Sequence, residues 1–171
     1  MSGHPGARAF FVGSDHAGIS LRRAVVAHLE AAGHVVGEFG PGDGERSDYP
    51  DAAREVALAV RRAAPADRAG GILICGTGIG MSIAANKVTG IRAALVHDPV
   101  TARLAAEHND ARVLCLGARL LAEDYALGLV DVWLAASFET RHQGRLDKVA
   151  DLESAAHIGD ISRSGAELIE R

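Results

Sequence analysis

Short apolar segments alternate with amphipathic segments along most of this chain. The apolar segments predict five strands, over residues 9–13, 35–39, 72–75, 91–96 and 112–116. The segments between them predict helices, over residues 19–32, 51–63, 99–108, 122–136 and 140–152, and a shorter helix is expected to begin near Met81. In the first helix, Leu21, Val25 and Leu29 recur at a spacing of four and share one apolar face.

The alternation of strands and helices favours an α/β fold, in which a parallel sheet is covered by helices on both faces. In open sheets of this kind, ligands bind at the carboxyl ends of the strands. The loops after the first, third, fourth and fifth strands are therefore candidates for a site. We expect a flexible leader (1–8), one domain (9–153) and a less periodic C-terminal extension (154–171).

Composition and charge exclude several classes of protein. The formal net charge is −4 and no basic run is present, so nucleic acid is not an expected partner. No apolar run approaches the roughly 20 residues of a membrane-spanning helix. Cys75 and Cys115 do not form a CxxC pair, and no clustered metal ligands are visible, so no metal is predicted. Both cysteines fit the reduced thiols of a cytoplasmic protein.

The loop after the third strand carries the strongest chemical signal. Cys75 is followed directly by Gly76-Thr77-Gly78-Ile79-Gly80 and then by the start of a helix. Backbone N–H groups in such a turn can hold an anion, and the helix start adds positive potential that favours the thiolate of Cys75. This arrangement is typical of a base beside an anion hole. An inert buried thiol is the alternative.

Two glycine patterns are typical of nucleotide-binding sites, but neither is complete. The segment 13–18 (GSDHAG) has the glycine spacing of a P-loop, yet Ile19 stands where lysine is needed. In the loop after the third strand, Met81 stands where a dinucleotide-binding pattern needs a third small residue, although Asp98 has the place of a ribose-binding acid. A nucleotide-binding regulatory module is therefore a secondary hypothesis.

Titratable residues elsewhere in the loops complete the set of candidates. Asp15 and His16 follow the first strand, where a site is a better explanation than a cap on the next helix. His108 ends the fourth crossover helix, and it either complements the helix C-terminus or faces the same crevice as Cys75. Arg141 and Arg145 are four residues apart, which suits a phosphate. A solvated helix face balanced by nearby acids is the alternative for these arginines.

Taken together, five segments resemble those of the type B ribose-5-phosphate isomerases, a family that includes galactose-6-phosphate isomerase subunits. The segments are 13–18 (GSDHAG), 46–50 (RSDYP), 71–86 (GILICGTGIGMSIAAN), 108–110 (HND) and 141–145 (RHQGR). The resemblance implies a Rossmann-like three-layer α/β/α fold with a five-stranded parallel sheet. It also implies a homodimer or dimer of dimers with the active site at the interface, and no metal or organic cofactor.

The resemblance further implies the isomerisation of an aldose to a ketose through a cis-enediolate. Cys75 is then the base, and Thr77 lines a hole for the enediolate oxygen with the backbone of Gly76, Gly78 and Gly80. His108 opens the furanose ring with help from Asp15. The remaining residues that the resemblance implies are His16, Arg119, Arg141 and Arg145 as phosphate ligands and Tyr49 and Asn109 as sugar contacts. Ribose 5-phosphate is the expected substrate, with galactose 6-phosphate, allose 6-phosphate or a four-carbon erythrulose phosphate as alternatives.

Overall fold

A computed structural model describes residues 6–63 and 69–153, which form a three-layer α/β domain. The strands are β1 (Ala9–Ser14), β2 (Val35–Phe39), β3 (Gly70–Cys75), β4 (Ala93–Leu95) and β5 (Val113–Gly117). The α-helices are α1 (Ile19–Ala31), α2 (Tyr49–Arg62), α3 (Ile79–Ala85), α4 (Pro99–Glu107), α5 (Glu123–Ala135) and α6 (Gln143–Asp151). The predicted fold class is confirmed. Most of the expected leader and the whole extension lie outside the described residues.

The five strands form one parallel sheet in the order β2-β1-β3-β5-β4. β3 lies at the centre, where Ser14 of β1 is in register with Ile74 and Cys75 is in register with Gly117 of β5. The carboxyl ends of β1, β3 and β5 are therefore adjacent. This order brings the loops after these three strands to one place at the edge of the sheet.

Helices bury both faces of the sheet, which explains why every residue of β3 and of β5 is buried. On one face the core contains residues of α1, α4 and α5, including Leu21, Val25 and Leu29 as the periodicity predicts. On the other face it contains the alanines and valines of α2 with Met81 and Ala85 of α3. No helix within the described ranges is long and apolar enough to cross a membrane.

Among the predicted elements, the fourth strand and the last helix differ most from the structure, for local reasons. Strand β4 covers only residues 93–95 of the predicted 91–96, and β5 is its one partner in the sheet. On its other side the Asn86 side-chain amide bonds both the N–H and the carbonyl of Ala93, at 2.9 and 2.8 Å. The predicted helix over 140–152 is a 3₁₀ turn (Thr140–His142) followed by α6.

Candidate active site

The carboxyl edge of the sheet gathers residues from the loops after β1, β3 and β5. Hydrogen bonds continue beyond the strands: Asp15 N–H donates to Ile74 O at 3.2 Å, and Ala118 N–H donates to Cys75 O at 2.8 Å. Arg119 N–H donates to Gly76 O at 3.0 Å. We call the resulting group the carboxyl-edge cluster; it consists of Asp15, His16, Tyr49, Cys75, residues 76–80 and Arg119.

Cys75 lies at the centre of this cluster, where its buried sulfur accepts a hydrogen bond from the N–H of Gly78 at 3.1 Å. The turn that aims this N–H requires glycine. Gly78 has a φ of +77°, and a Cβ there would stand 2.5 Å from the Leu95 side chain and 3.0 Å from the carbonyl carbon of Leu116. A backbone N–H directed at the sulfur compensates negative charge on it. The glycine thus sets the electrostatics of the thiol.

The other glycines of the turn allow side chains to pack directly on it. A Cβ on Gly76 would stand 3.2 Å from Nη1 of Arg119, so the guanidinium lies over the turn. A Cβ on Gly80 would stand 2.8 Å from the ring of Tyr49, which borders the turn on another side. The hydroxyl of Thr77 accepts from Ile79 N–H at 3.4 Å. The glycine turn predicted from the sequence is therefore bordered by the Tyr49 ring on one side and by the Arg119 guanidinium on another.

Asp15 and His16 are held at the end of β1 by different contacts. The buried Asp15 carboxylate accepts from Ala17 N–H at 2.8 Å, while α1 begins after Gly18 without any side-chain cap. The helix-capping alternative for Asp15 is therefore wrong. The His16 ring donates from Nδ1 to Ser47 O at 3.1 Å, because a carbonyl oxygen only accepts. This bond fixes the orientation of the imidazole and ties it to the loop between β2 and α2.

The remaining candidates lie at the opposite edge of the sheet. Helix α4 crosses from the carboxyl end of β4 to the amino end of β5, and His108 is its C-cap. Glu139 N–H donates to Glu107 O at 2.8 Å, which brings residues 139–145 beside His108. Asn109 is there as well, its carbonyl accepting from Arg92 Nε at 2.8 Å. We call the group His108, Asn109, Glu139, Arg141, His142 and Arg145 the amino-edge cluster.

The expectation that His108 faces the same crevice as Cys75 does not hold within one chain. Parallel strands and antiparallel crossover helices place the end of α4 at the amino edge, whereas Cys75 ends a strand at the carboxyl edge. Arg141 and Arg145 share the location of His108. A cavity of about 300 Å³ also lies at the amino edge, but its lining, which includes Asp110 and Trp133, contains none of the predicted site residues.

Charge in the amino-edge cluster is organised around Glu139. Arg141 donates from Nε to the Glu139 carboxylate at 2.7 Å, and this hydrogen bond is the main reason that the pKa of Glu139 lies below its usual value. Burial lowers the pKa of His142, and the Arg141 charge lowers it further. The ring of His142 is 4.3 Å from that of His108, centroid to centroid. A neutral His142 thus packs against His108 beside an ionised carboxylate.

His108, Glu139 and His142 also have the composition of a zinc site, with ligand atoms all within 4.8 Å of one another. Arg145 donates from Nη1 to Nδ1 of His142 at 3.2 Å, so the neutral ring carries its proton on Nε2. Nε2 is the atom that lies 3.5 Å from Glu139, and it would have to lose that proton to bind a metal. The guanidinium groups of Arg141 and Arg145, which contact Glu139 and His142, disfavour a cation further. We therefore do not interpret the three residues as a metal site.

Two polar residues that the sequence analysis overlooked lie near the site. Arg22 is buried in α1 and bonds four different acceptors, and His142 is buried against His108. Arg22 lies three residues before Val25 and seven before Leu29, on the apolar stripe of its helix, which is a signal that could have identified it. Asp98, by contrast, caps α4 through Thr101 N–H at 2.8 Å. The dinucleotide hypothesis thus loses its ribose-binding acid.

Comparison with known proteins identifies the family. A family model described as Ribose/Galactose Isomerase matches residues 10–149, almost the entire described domain. The chain belongs to the ribose/galactose isomerase family. The predicted resemblance is confirmed, and both clusters lie within the matched range.

Individual relatives of the ribose/galactose isomerase family match over nearly their full length. The ribose-5-phosphate isomerase B of Escherichia coli K12 is 46% identical over 142 residues, 82% of this chain and 93% of that protein. The structure of the Clostridium thermocellum ribose-5-phosphate isomerase B has a TM-score of 0.80 at 45% identity and covers 85% of this chain and 97% of its own. The Mycoplasma genitalium enzyme, solved with bound ribulose 5-phosphate, has a TM-score of 0.79 at 42% identity, covering 85% of this chain and 95% of its own.

Proposed function

We propose that this protein interconverts ribose 5-phosphate and ribulose 5-phosphate. The observation that carries the proposal is the Cys75 sulfur, held 3.1 Å from the N–H of Gly78 in a turn overlaid by Arg119. A base, an anion-stabilising turn and a nearby cation are what proton transfer beside a carbonyl needs. The chemistry requires no redox cofactor, because the substrate is neither oxidised nor reduced overall.

In the proposed reaction, the Cys75 thiolate removes the proton from C2 of the open-chain aldose. The electron pair of the C2–H bond forms the C1–C2 double bond of a cis-enediolate, and the negative charge moves to the oxygen on C1. Thr77 and the backbone of residues 76–80 stabilise this oxygen. The Cys75 thiol then returns the proton to C1 while the O2 proton passes to O1, which leaves a ketone at C2.

We further propose that a second copy of the chain completes each active site. The ring-opening and phosphate-binding residues of the amino-edge cluster are separated from Cys75 by the length of the sheet in one chain. A two-fold axis would place the amino-edge cluster of one copy against the carboxyl-edge cluster of the other, and would form two identical sites. Whether two such dimers associate further is a separate question of assembly.

Exposed apolar residues next to Cys75 support an interface there. Helix α3 directly follows the glycine turn and exposes Ile79 and Ile83, 51% and 57% accessible, on the same face one turn apart. Val149 and Leu152 are exposed at the end of α6, and the neighbouring Glu153 accepts from Gly90 N–H at 2.8 Å. The two isoleucines give an apolar surface beside the catalytic turn, and Val149 and Leu152 give a second one near Gly90; association of two copies would cover such surfaces.

In the proposed dimer, the phosphate is bound by residues of both copies. His16 and Arg119 come from the chain that supplies Cys75, and Arg141 and Arg145 come from its partner. His108 of the partner opens the furanose ring with Asp15. Tyr49 and Asn109 contact the sugar. Arg141 is exposed, and among the described residues its one ion-pair partner is the partly exposed Glu139, so it is able to reach a phosphate without leaving a buried partner. Two unpaired thiols favour a cytoplasmic location.

The proposal is tested by assaying purified protein in D₂O with ribose 5-phosphate, galactose 6-phosphate, allose 6-phosphate and erythrulose 4-phosphate. We expect the highest kcat/KM for ribose 5-phosphate, and solvent deuterium at the carbon that receives the proton. A higher kcat/KM for a six- or four-carbon substrate would leave the isomerase activity in place and change the proposed substrate. Turnover of none of the four, together with tight binding of a nucleotide, would favour the regulatory module instead.

A further inference from the structure

Arg22 is a buried cation that connects two segments below the proposed phosphate site. Only 4% of the residue is exposed. Its Nη1 donates to the Ser14 hydroxyl at 2.9 Å and to Phe39 O at 3.2 Å, and its Nη2 donates to Pro41 O at 2.8 Å. Its Nε donates to the Glu38 carboxylate at 2.7 Å. A buried charge is costly unless its donors are satisfied, and here both segments satisfy them.

The two segments approach each other too closely for any side chain between them. Gly40 has a φ of +117°, and a Cβ there would overlap the carbonyl oxygen of Ser14 and stand 2.5 Å from Nη1 of Arg22. The end of β1 and the start of the loop after β2 are therefore in direct contact, with the guanidinium alongside. Arg22 holds this contact from the side of the core.

Both segments lead to His16. Ser14 precedes it by two residues along the chain, and the loop that starts after Phe39 continues to Ser47, whose carbonyl accepts from Nδ1 of His16 at 3.1 Å. The histidine and the acceptor that orients its ring are thus carried by the two segments that Arg22 holds together. A shift of either segment would change the position of the ring relative to a bound phosphate.

We propose that Arg22 is a positioning residue for the phosphate subsite and acts through His16. This inference rests on the proposed function, because it assumes that His16 contacts the phosphate of the substrate. Arg22 itself touches no substrate. Binding groups lose much of their effect when displaced by a fraction of an ångström, so the contacts that hold them contribute to affinity.

The next residue along the chain supplies a matched control. Arg23 lies on the same helix and forms an ion pair with the same loop, through Asp43 at 2.9 Å. Its side chain is 55% exposed and that of Asp43 is 74% exposed, and none of its described contacts reaches Ser14, Phe39 or Pro41. Loss of Arg23 removes a positive charge from α1 without loosening the contact below His16.

The first measurement compares Arg22→Met, Arg22→Lys and Arg23→Met with the natural protein. For Arg22→Met we expect KM for ribose 5-phosphate and the inhibition constant of inorganic phosphate to rise about tenfold, as for loss of a charge-assisted hydrogen bond. We expect kcat to change by less than about twofold, since binding rather than proton transfer is affected. Arg22→Lys should recover part of the affinity, and Arg23→Met should keep all of it.

A double-mutant cycle separates positioning from general stabilisation. If Arg22 acts through His16, then Arg22→Met added to His16→Ala should raise KM by less than about twofold further, because coupled residues are non-additive. The inference would be overturned if the two substitutions raised KM by independent factors that multiply in the double variant. It would also be overturned if kcat of Arg22→Met fell together with its melting temperature. Should Arg22→Met not fold, Ser14→Ala removes one contact and should raise the inhibition constant of phosphate in the same direction; an unchanged constant would also overturn the inference.

A turnover-independent readout distinguishes failure of this inference from failure of the proposed function. Inorganic phosphate is titrated into natural and Ser14→Ala protein while the His16 ring is followed by NMR. We expect the ring signals to shift with phosphate, and about threefold more phosphate to be needed in the variant, because one of the four Arg22 contacts is lost. If the two proteins differ in their phosphate titrations as expected but the natural protein turns over no substrate, only the proposed isomerase activity is rejected. If the natural protein turns over ribose 5-phosphate but the two phosphate titrations are identical, only the role of Arg22 is rejected.

Discussion

Cys75 and Cys115 place the same side chain in two different surroundings. Both are buried thiols on neighbouring strands. Burial raises the pKa of Cys115, and the charge of the nearby Cys75 adds to the effect. The sulfur of Cys75 instead accepts the N–H of Gly78. The difference lies in the turn that follows Cys75, and it makes Cys115 a natural control for the proposed base.

Replacement of Cys75 by alanine should therefore abolish proton transfer. We expect kcat for ribose 5-phosphate to fall by a factor of about 10² to 10⁴, the usual contribution of a general base. Cys115→Ala should keep kcat within about twofold and lower the free energy of unfolding by about 1 kcal/mol. Initial rates of ketose formation and urea unfolding measure the two effects. Full activity in Cys75→Ala would mean that another group is the base.

Single residues also show where sequence reasoning succeeds and where it fails. The residues of the turn after β3 were predictable, because glycines and a cysteine at a strand end are local signals. Arg22 was predictable in principle from its place on an apolar stripe, yet its four acceptors lie outside its helix, 8 to 19 residues away along the chain. The same holds for His142, whose burial depends on packing against His108. Long-range contacts determine these environments, and periodicity does not encode them.

At the scale of elements, the turn between β3 and α3 depends on backbone conformations that other residues reach with difficulty. In Gly78→Ala, the new methyl group meets Leu95 and the backbone of Leu116, and φ remains in the left-handed region. We expect the free energy of unfolding to fall by about 1–3 kcal/mol. We also expect kcat to fall, because the N–H can no longer be held at the Cys75 sulfur. Chemical unfolding and steady-state rates report these two effects.

Gly128 provides the matched control within a helix. It lies in the middle of α5, and a Cβ there would meet nothing within 4 Å. Gly128→Ala should raise the free energy of unfolding by about 0.5–1 kcal/mol through helix propensity, with kcat unchanged. Equal stability changes in the two variants would show that the turn after β3 is not strained by a side chain.

Alternation of apolar segments was enough to predict the strands and helices, but it did not predict the order in which the strands lie side by side in the sheet.

At the scale of the whole molecule, the separation of the two clusters is the main feature that the sequence left open. The residues that bear chemistry could be identified from motifs, but which edge each one occupies follows from the direction of the helices that carry them. Asp15 follows a strand and Cys75 ends one, whereas His108 follows a helix, so they lie at opposite edges. A site built from both edges needs two copies of the chain, and this requirement can be tested by mixing inactive variants.

Cys75→Ala and His108→Ala chains should each be nearly inactive alone and should recover activity when mixed. If the two chains of a dimer share their sites, a mixed dimer of one Cys75→Ala chain and one His108→Ala chain has one site with both lesions, that is, both substitutions, and one site with neither. Random association makes half of the dimers mixed, so recovery should approach about one quarter of natural activity.

Mixing Cys75→Ala with Thr77→Ala is the control: both lesions lie in the carboxyl-edge cluster, so every mixed site keeps one lesion and activity stays low. Mass spectrometry of differently tagged chains verifies exchange. Exchange without recovery in the first mixture would show that the site is not shared between chains, and would overturn the proposed dimer.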